Sequence, residues 1–453
     1  MDSLSLLVPA FGNVAWTIIA FIVALSIIVA IHEYGHYIVG RWSGIHAEVF
    51  SVGFGPVIWS RRDRRGTLWQ IAALPLGGYV KFAGDADAAS GKDEAAMQAA
   101  QDDPAALRRT MHGAPVWARA ATVAAGPVFN FVFSIALFCG LFLFQGETKY
   151  PLTISTLHTL PNAVGEVRVG DTILEIEGQP IPDGGAEARR DYFESLPRKP
   201  LLEYLVERDG SERTVQGPTP FPPVALSVLP RSAAMSAGFQ SGDVIVSIDG
   251  QPIFEFDQLK TAVEGSGGAA LDLQVWRAGQ MLDMTLKPRR SDEPRDEGGF
   301  QTHWRIGIAG GTAFEFETAP MSLGTAISQS FSRFWEIISG SLNGLWHVVS
   351  GAISSCNLNG PVGIAQISSA AASDGALSFI GFVALLSTAV GLLNLFPIPV
   401  LDGGHLVFHA YEAVTGRPPS DKIHHALMLF GLTIVLGFMV FALGNDLICP
   451  FFR

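Results

Sequence analysis

The chain has 453 residues, of which 48% are hydrophobic and only 16% charged, with a mean hydropathy of +0.31 and a formal net charge of −12. Soluble chains carry charge on nearer a quarter of their residues, so this composition points to a membrane protein. The acidic balance and the lack of a basic footprint exclude a nucleic-acid-binding role, so no nucleic acid is expected as a partner. Cys139, Cys356 and Cys449 are scattered, match no metal or disulfide spacing and are read as structural.

A bilayer-spanning helix needs about 20 mostly apolar residues. The first such run, 14–31, is uncharged and continues helically into His32 and His36, giving a first transmembrane helix within 1–40. It is not expected to be a cleaved signal peptide, because only Asp2 precedes it and histidines follow it in place of a small-residue cleavage pattern. Residues 41–114 follow; within them "GTLWQIAALPLGGYVKF" (66–82) is apolar and partly strand-like but too interrupted to span. Residues 84–107, rich in Ala and Asp, are expected to be a mobile loop without chemistry. Further spans are expected at 115–146 (uncharged over 120–144), 375–401 and 423–447, the last uncharged over 423–445 with His424 and His425 neutral. Any one of them could be a buried soluble helix, but a globular chain rarely has four.

Orientation follows from Lys and Arg in the short loops. Residues 41–114 contain Arg41, Arg61, Arg62, Arg64, Arg65, Lys81, Lys92, Arg108 and Arg109, and the last loop contains Arg417 and Lys422. Both are expected to be cytoplasmic, with 147–374 and both termini outside, in the periplasm of a Gram-negative cell.

The outer region contains a repeat. "VGDTILEIEGQPI" (169–181) aligns with "SGDVIVSIDGQPI" (241–253), and "VERDG" (206–210) with "VWRAG" (275–279). Alternating apolar residues and glycine turns indicate two copies of a small β-rich module, at 152–219 and 223–288, joined by the Pro-rich "GPTPFPP" (217–223). The charged stretch "KPRRSDEPRDEGG" (287–299) is expected to be a loop. Within 318–355, Ile327, Phe331, Phe334, Trp335 and Ile338 recur at helical spacing, which predicts an amphipathic helix on the membrane surface; packing on a β module is the alternative.

The chemistry centres on "HEYGH" (32–36). His32 and His36 share a helix face and can reach one metal ion, whereas Glu33 points about 100° away and can act as general base. Catalytic zinc takes three protein ligands and keeps one position open. Ionisable side chains in or beside a spanning helix are costly, which favours function over a packed helix end. In "LLNLFPIPVLDGGHLVFH" (392–409), Asp402 follows a run broken by Pro397 and Pro399, which predicts irregular backbone lining a cavity. Asp402 is a candidate third ligand or part of an Asp-Gly turn, with His405 and His409 as rival ligands.

Together "HEYGH", "GFGP" (53–56), "PLGGYVK" (75–81), "GPVFN" (126–130), the repeated "GD…DGQPI", "NGPVGIAQ" (359–366) and "NLFPIPVLDGGH" (394–405) resemble the site-2 protease family of intramembrane zinc metalloproteases, peptidase M50, in its bacterial sigma-E-regulating branch with tandem PDZ domains. The likeness covers nearly the whole chain. It implies a polytopic α-helical membrane protein with four transmembrane helices, a membrane-re-entrant β-hairpin and two periplasmic PDZ domains, in the bacterial inner membrane. It implies a zinc metalloendopeptidase in which Zn2+ is held by His32, His36 and Asp402, Glu33 is the base, and Asn394, Gly77 and Gly78 handle substrate near the cytoplasmic face. For Asn394, a helix-packing role is the alternative, and for the hairpin, a surface position. The implied substrates are single-span membrane proteins of the anti-sigma-factor type, after a first cut by an upstream site-1 type protease, and signal-peptide remnants. The first module departs from the pattern at "AVGEVRVGD" (163–171), which puts its peptide binding in question. A non-catalytic PDZ scaffold and a metal transporter are the competing classes; neither needs a His-Glu-x-x-His base.

Overall fold

The computed structural model describes residues 7–86, 91–161, 165–182, 186–295 and 299–452. The chain divides into two compact units: a helical unit made of residues up to 143, 322–349 and 358–448, and a β-rich unit made of 144–321, 350–357 and 449 onward.

Four helices of the helical unit are long and apolar enough to cross a membrane: Val14–Trp42, Val116–Gln145, Ala376–Asn394 and Lys422–Cys449. In lipid each backbone amide must be satisfied within its own segment, so these apolar runs become helices. The second and third spans are locked by buried hydroxyls. Ser134 donates to the carbonyl of Ala384 at 2.7 Å and meets the Thr388 hydroxyl at 2.6 Å, while Ser387 donates to the carbonyl of Asn130 at 2.9 Å. Small polar residues let two spans approach closely and bond across the seam.

The third span ends at Asn394 and not at 401 as expected, because Pro397 and Pro399 cannot continue it. A turn through 395–401 leads into a separate helix, Asp402–Thr415. A Cβ at Gly403 would collide with the carbonyls of Leu395 and Phe396, and one at Gly404 with Ile398. The glycine pair therefore lets the turn fold back onto the start of this helix, which places Asp402 in its first turn.

Two long strands, Ala47–Arg62 and Leu68–Phe82, form more than a simple hairpin. Each bends, so residues 49–52 sit between 68–71 on one side and 78–81 on the other, and 59–62 pair with 68–71. Among the described residues, 78–82 is an edge with no strand on its outer side. The segment expected to be a mobile loop contains helices Glu94–Ala100 and Pro104–Arg108, capped by Asp93 and Asp103; residues 87–90 lie outside the described ones.

The amphipathic helix spans Leu323–Val349. Its buried side meets the second and third spans: Phe334 packs on Phe131, and Ile337 lies with Phe138, Leu141 and Ala384. Leu323, Phe331, Trp335, Trp346 and Val349 form an exposed apolar stripe. A further helix, Pro361–Asp374, has its N-terminal amides at Val362 and Gly363 bonded by the buried carboxylate of Asp446 from the last span, at 3.0 and 3.1 Å. This explains the "NGPVG" signature: the Asp446 carboxylate satisfies orphan helix donors.

The β-rich unit holds two four-stranded sheets of the same strand order, Gln179–Pro180, Thr172–Ile176, Leu201–Arg208, Ser211–Pro218 and Gln251–Pro252, Val244–Ile248, Leu271–Arg277, Gln280–Leu286. The repeat extends to an ion pair in each: Arg208 grips Asp171 through both carboxylate oxygens at 2.6 and 2.7 Å, and Arg277 grips Asp243 at the same distances. Both modules run beyond their expected ends at 219 and 288. Ile308–Gly310 pairs with Ala225–Val228, and Phe314–Phe316 pairs with Ile154–Leu157. Within the charged stretch expected to be a loop, Arg289–Pro294 is a strand that pairs antiparallel with Phe300–Arg305; residues 296–298 lie outside the described ones. The first module's departing segment falls partly on 162–164, outside the described residues.

Cys356 and Cys449 form a disulfide, against the expectation of no pairing. They lie 93 residues apart, a spacing that carries no local signal; only the folded chain brings their Cα atoms to 5.7 Å.

Burial alone would raise the pKa of Asp171, but the Arg208 guanidinium and the Arg168 amide outweigh it and hold the carboxyl below its ordinary range. Its folded value lies below the unfolded one, so its contribution is complete above about pH 4 and lost as pH falls through the folded value. Amide exchange in Thr172–Ile176, corrected for intrinsic rate, should accelerate below about pH 4 and be flat through neutrality; Asp171→Asn should remove the dependence.

Candidate metal centre

His32 and His36 lie one turn apart on the first span helix. Their Nε2 atoms are 3.2 Å apart, and Asp402 Oδ2 lies 3.1 Å from the first and 3.6 Å from the second. Nitrogen and oxygen ligands at about 2.0–2.1 Å from a tetrahedral zinc are about 3.3 Å from one another, so the three atoms already stand at ligand spacing. Asp402 Oδ2 is buried and accepts no hydrogen bond. The two imidazole Nε2 atoms are its near neighbours, and a cation among the three atoms would pair the buried oxygen. This donor set fits a divalent cation. Among the described residues, these three form the group able to hold a metal.

His405 and His409 are not in that group; they line the same cavity farther along the Asp402–Thr415 helix, where His405 lies beside Phe408 and His424. The cavity measures about 1070 Å³ and exposes His32, Glu33, His36 and Asp402 together. Its wall includes Gly78, Tyr79 and Val80 from the free sheet edge, and Asn394. A Cβ at Gly78 would stand 2.9 Å from Glu33 Cγ and 2.7 Å from the Ser51 carbonyl, so only glycine lets this edge lie against Glu33. Gly77 is placed differently, under the Phe54 ring. The Asn394 amide donates to the Val390 carbonyl at 3.0 Å, closing the end of its own helix while facing the cavity. Lys92 and Glu94, from the segment expected to carry no chemistry, also line it.

The second span holds functional positions that the sequence reading did not assign. Thr122, Gly126, Asn130 and Ser134 recur every four residues, so they share one face of an otherwise apolar helix. His36 Nδ1 lies 2.9 Å from the Thr122 carbonyl, and His32 Nδ1 lies 3.2 Å from Asn130 Nδ2. A Cβ at Gly126 would collide with His36 Nε2 and stand 2.8 Å from His32 Cε1. This ladder of small and polar residues was the available signal. Arg119 and Glu412 add a two-bond ion pair, at 2.9 and 2.6 Å, which fastens the Asp402–Thr415 helix to the second span.

Two imidazoles and a glutamate on a spanning helix, met by a carboxylate from a short helix beside it, define a membrane metallohydrolase. The chain belongs to peptidase family M50, whose model matches residues 20–438. It is 35% identical over 436 residues to a protein of Rhizobium meliloti and 34% identical over 442 residues to one of Agrobacterium fabrum, each named "Putative zinc metalloprotease". These matches cover 96% and 97% of this chain and 97% and 98% of the relatives. It is also 30% identical over 472 residues to the regulator of sigma-E protease RseP of Salmonella typhimurium, across 96% of this chain and 99% of that one. The family is zinc-dependent, and Zn2+ is its cofactor.

Gly126→Ala should weaken zinc binding by at least about tenfold, because the added methyl enters the space of both imidazoles. Competition with a chromophoric chelator measures this, and wild-type affinity in the variant would show that the second span can withdraw.

Proposed function

We propose that the protein is an intramembrane zinc endopeptidase that cuts within the transmembrane segment of single-span membrane proteins. The observation that carries this reading is one cavity shared by the His32–His36–Asp402 cluster, Glu33 and a free sheet edge, in a unit built of spanning helices. A helical substrate hides its peptide bonds by bonding each carbonyl internally. An unwound segment could pair with the edge at 78–82 by strand addition, which supplies substitute backbone bonds beside Glu33. Asn394 would then turn its amide to a freed substrate carbonyl.

A bound zinc ion supplies Lewis-acid polarisation and a lowered water pKa. Glu33 accepts the proton of the attacking water as its oxygen bonds to the scissile carbon, then delivers that proton to the departing amide nitrogen as the C–N bond breaks. His32, His36 and Asp402 hold the ion, and the small residues of the second span let helices close around it.

The Lys and Arg of 41–114 support a cytoplasmic position for the cavity end. The Cys356–Cys449 disulfide supports an oxidising compartment for the β-rich unit, which in a Gram-negative inner membrane is the periplasm. The repeated β modules read as a PDZ tandem that filters substrates by the bulk of their outer domains. Substrates of the anti-sigma-factor type, trimmed first by a site-1 type protease, and signal-peptide remnants suit such a filter. The name of the Salmonella relative, a regulator of sigma-E protease, supports a place in sigma-factor control, and from there in envelope stress signalling.

Purified protein in detergent should cleave a single-span helical substrate, and a zinc chelator should abolish the activity. Glu33→Gln should lower the rate by about 10²-fold or more while retaining zinc, as expected on loss of a general base; equal cleavage by this variant would remove Glu33 from the mechanism. Because Thr148 pairs with Thr318 and Glu147 with Ala319, residues 149–317 can be excised and the flanks joined over a short distance. The excised protein should cleave substrates that keep their outer domain, whereas reduced cleavage of trimmed substrates would mark the tandem as a receptor.

A further inference from the structure

A histidine that binds a metal through Nε2 must carry its proton on Nδ1, and that proton needs an acceptor. His36 meets the condition, with Nδ1 2.9 Å from the Thr122 carbonyl. His32 has no backbone carbonyl in that role; its Nδ1 faces the side-chain amide of Asn130 at 3.2 Å. Asn130 is fully buried, and its Oδ1 has no hydrogen-bond partner.

The two ends of an amide are nearly the same size, and their assignment follows from the hydrogen bonds they make. With Nδ2 toward His32, the imidazole must accept at Nδ1 and carry its proton on Nε2, aimed at Asp402 Oδ2, 3.1 Å away. The lone pair needed by a metal is then absent. With a metal on Nε2, the same orientation would set an N–H against an N–H inside a buried site.

We propose that Asn130 is a positioning residue that turns its Oδ1 to His32 Nδ1–H and so holds His32 in the metal-binding tautomer. The turn gives the oxygen the donor it lacks. The pivot is rigid, because Ser387 holds the Asn130 carbonyl at 2.9 Å and Ser134, one turn on, is tied to Ala384 and Thr388. The two imidazoles thus draw on one helix face, through the Thr122 backbone for His36 and the Asn130 side chain for His32. This inference rests on the reading of His32, His36 and Asp402 as the zinc site.

The test is zinc affinity of the purified full chain in detergent, by chelator competition, in wild type, Asn130→Leu, Asn130→Asp and Asp402→Ala. Asn130→Leu keeps the heavy-atom count and branching but lacks the acceptor, and should bind zinc about 10–100-fold more weakly with an unchanged unfolding midpoint of the zinc-free protein. Asn130→Asp keeps an acceptor and should bind within about threefold of wild type or more tightly, because carboxylates commonly hold zinc-bound imidazoles. Wild-type affinity in Asn130→Leu would overturn the proposal. So would an equal loss in Asn130→Leu and Asn130→Asp, which marks a packing role. If Asn130→Leu does not fold, a loss above tenfold in Asn130→Asp alone overturns it. Failure of wild type to bind zinc, or retention by Asp402→Ala, removes the metal-site reading and this proposal with it; loss in Asp402→Ala with no loss in Asn130→Leu removes the Asn130 role alone.

Discussion

A carboxylate and two imidazoles meet inside a bundle of apolar helices, with the inner carboxylate oxygen 3.1 and 3.6 Å from the two Nε2 atoms. This donor set suits a divalent cation. The rest of the helical unit is arranged around that requirement. One span supplies both imidazoles from successive turns, and a separate short helix supplies the carboxylate. The Pro-containing turn before Asp402 is tolerated because it folds onto protein and faces the cavity, not lipid.

The second span is the scaffold for this arrangement. Its ladder of Thr122, Gly126, Asn130 and Ser134 turns one face into a surface of backbone oxygen, empty space, amide and hydroxyl. Each rung answers a different need: an acceptor for His36, room for both rings, a partner for His32, and a clasp onto the third span. Hydrophobic attraction cannot order helices within lipid, because lipid tails are as apolar as the side chains they would replace. Close approach at small residues and buried hydroxyl bonds do that work here. The Arg119–Glu412 pair extends the same logic to the helix bearing Asp402.

In the β-rich unit the recurring device is a buried aspartate gripped by an arginine from a neighbouring strand. Asp171 and Asp243 occupy equivalent places after the glycine of each repeat, and Arg208 and Arg277 end equivalent strands. Each pair ties the turn before the first sheet strand to the end of the third. The apolar alternation beneath them packs Ile173, Tyr204 and Val206 in one core and Ile245, Leu273 and Val275 in the other.

Much of this was legible in the chain itself. Uncharged runs long enough to span, a His-Glu-x-x-His pattern at the end of one, and a repeated strand-turn phrase are local signals, because helical periodicity, hydropathy and glycine turns act over a few residues. The break before Asp402 was equally local, written in Pro397 and Pro399, although the third span stops sooner than its apolar run. What the sequence left open depends on partners distant along the chain. The choice of Asp402 over His405 and His409 for the cluster follows from the Gly403–Gly404 fold-back, which fixes which side chain of that helix reaches the histidines. The disulfide, the completion of each module by strands after residue 300, and the second-span ladder as a support for both imidazoles all join residues tens to hundreds of positions apart. Composition and hydropathy determined that the chain enters a membrane, and the His-Glu-x-x-His spacing with the family resemblance pointed to hydrolase chemistry; only the packing of one span against another decided which atoms face the metal, because that depends on close approach between residues with no local relation.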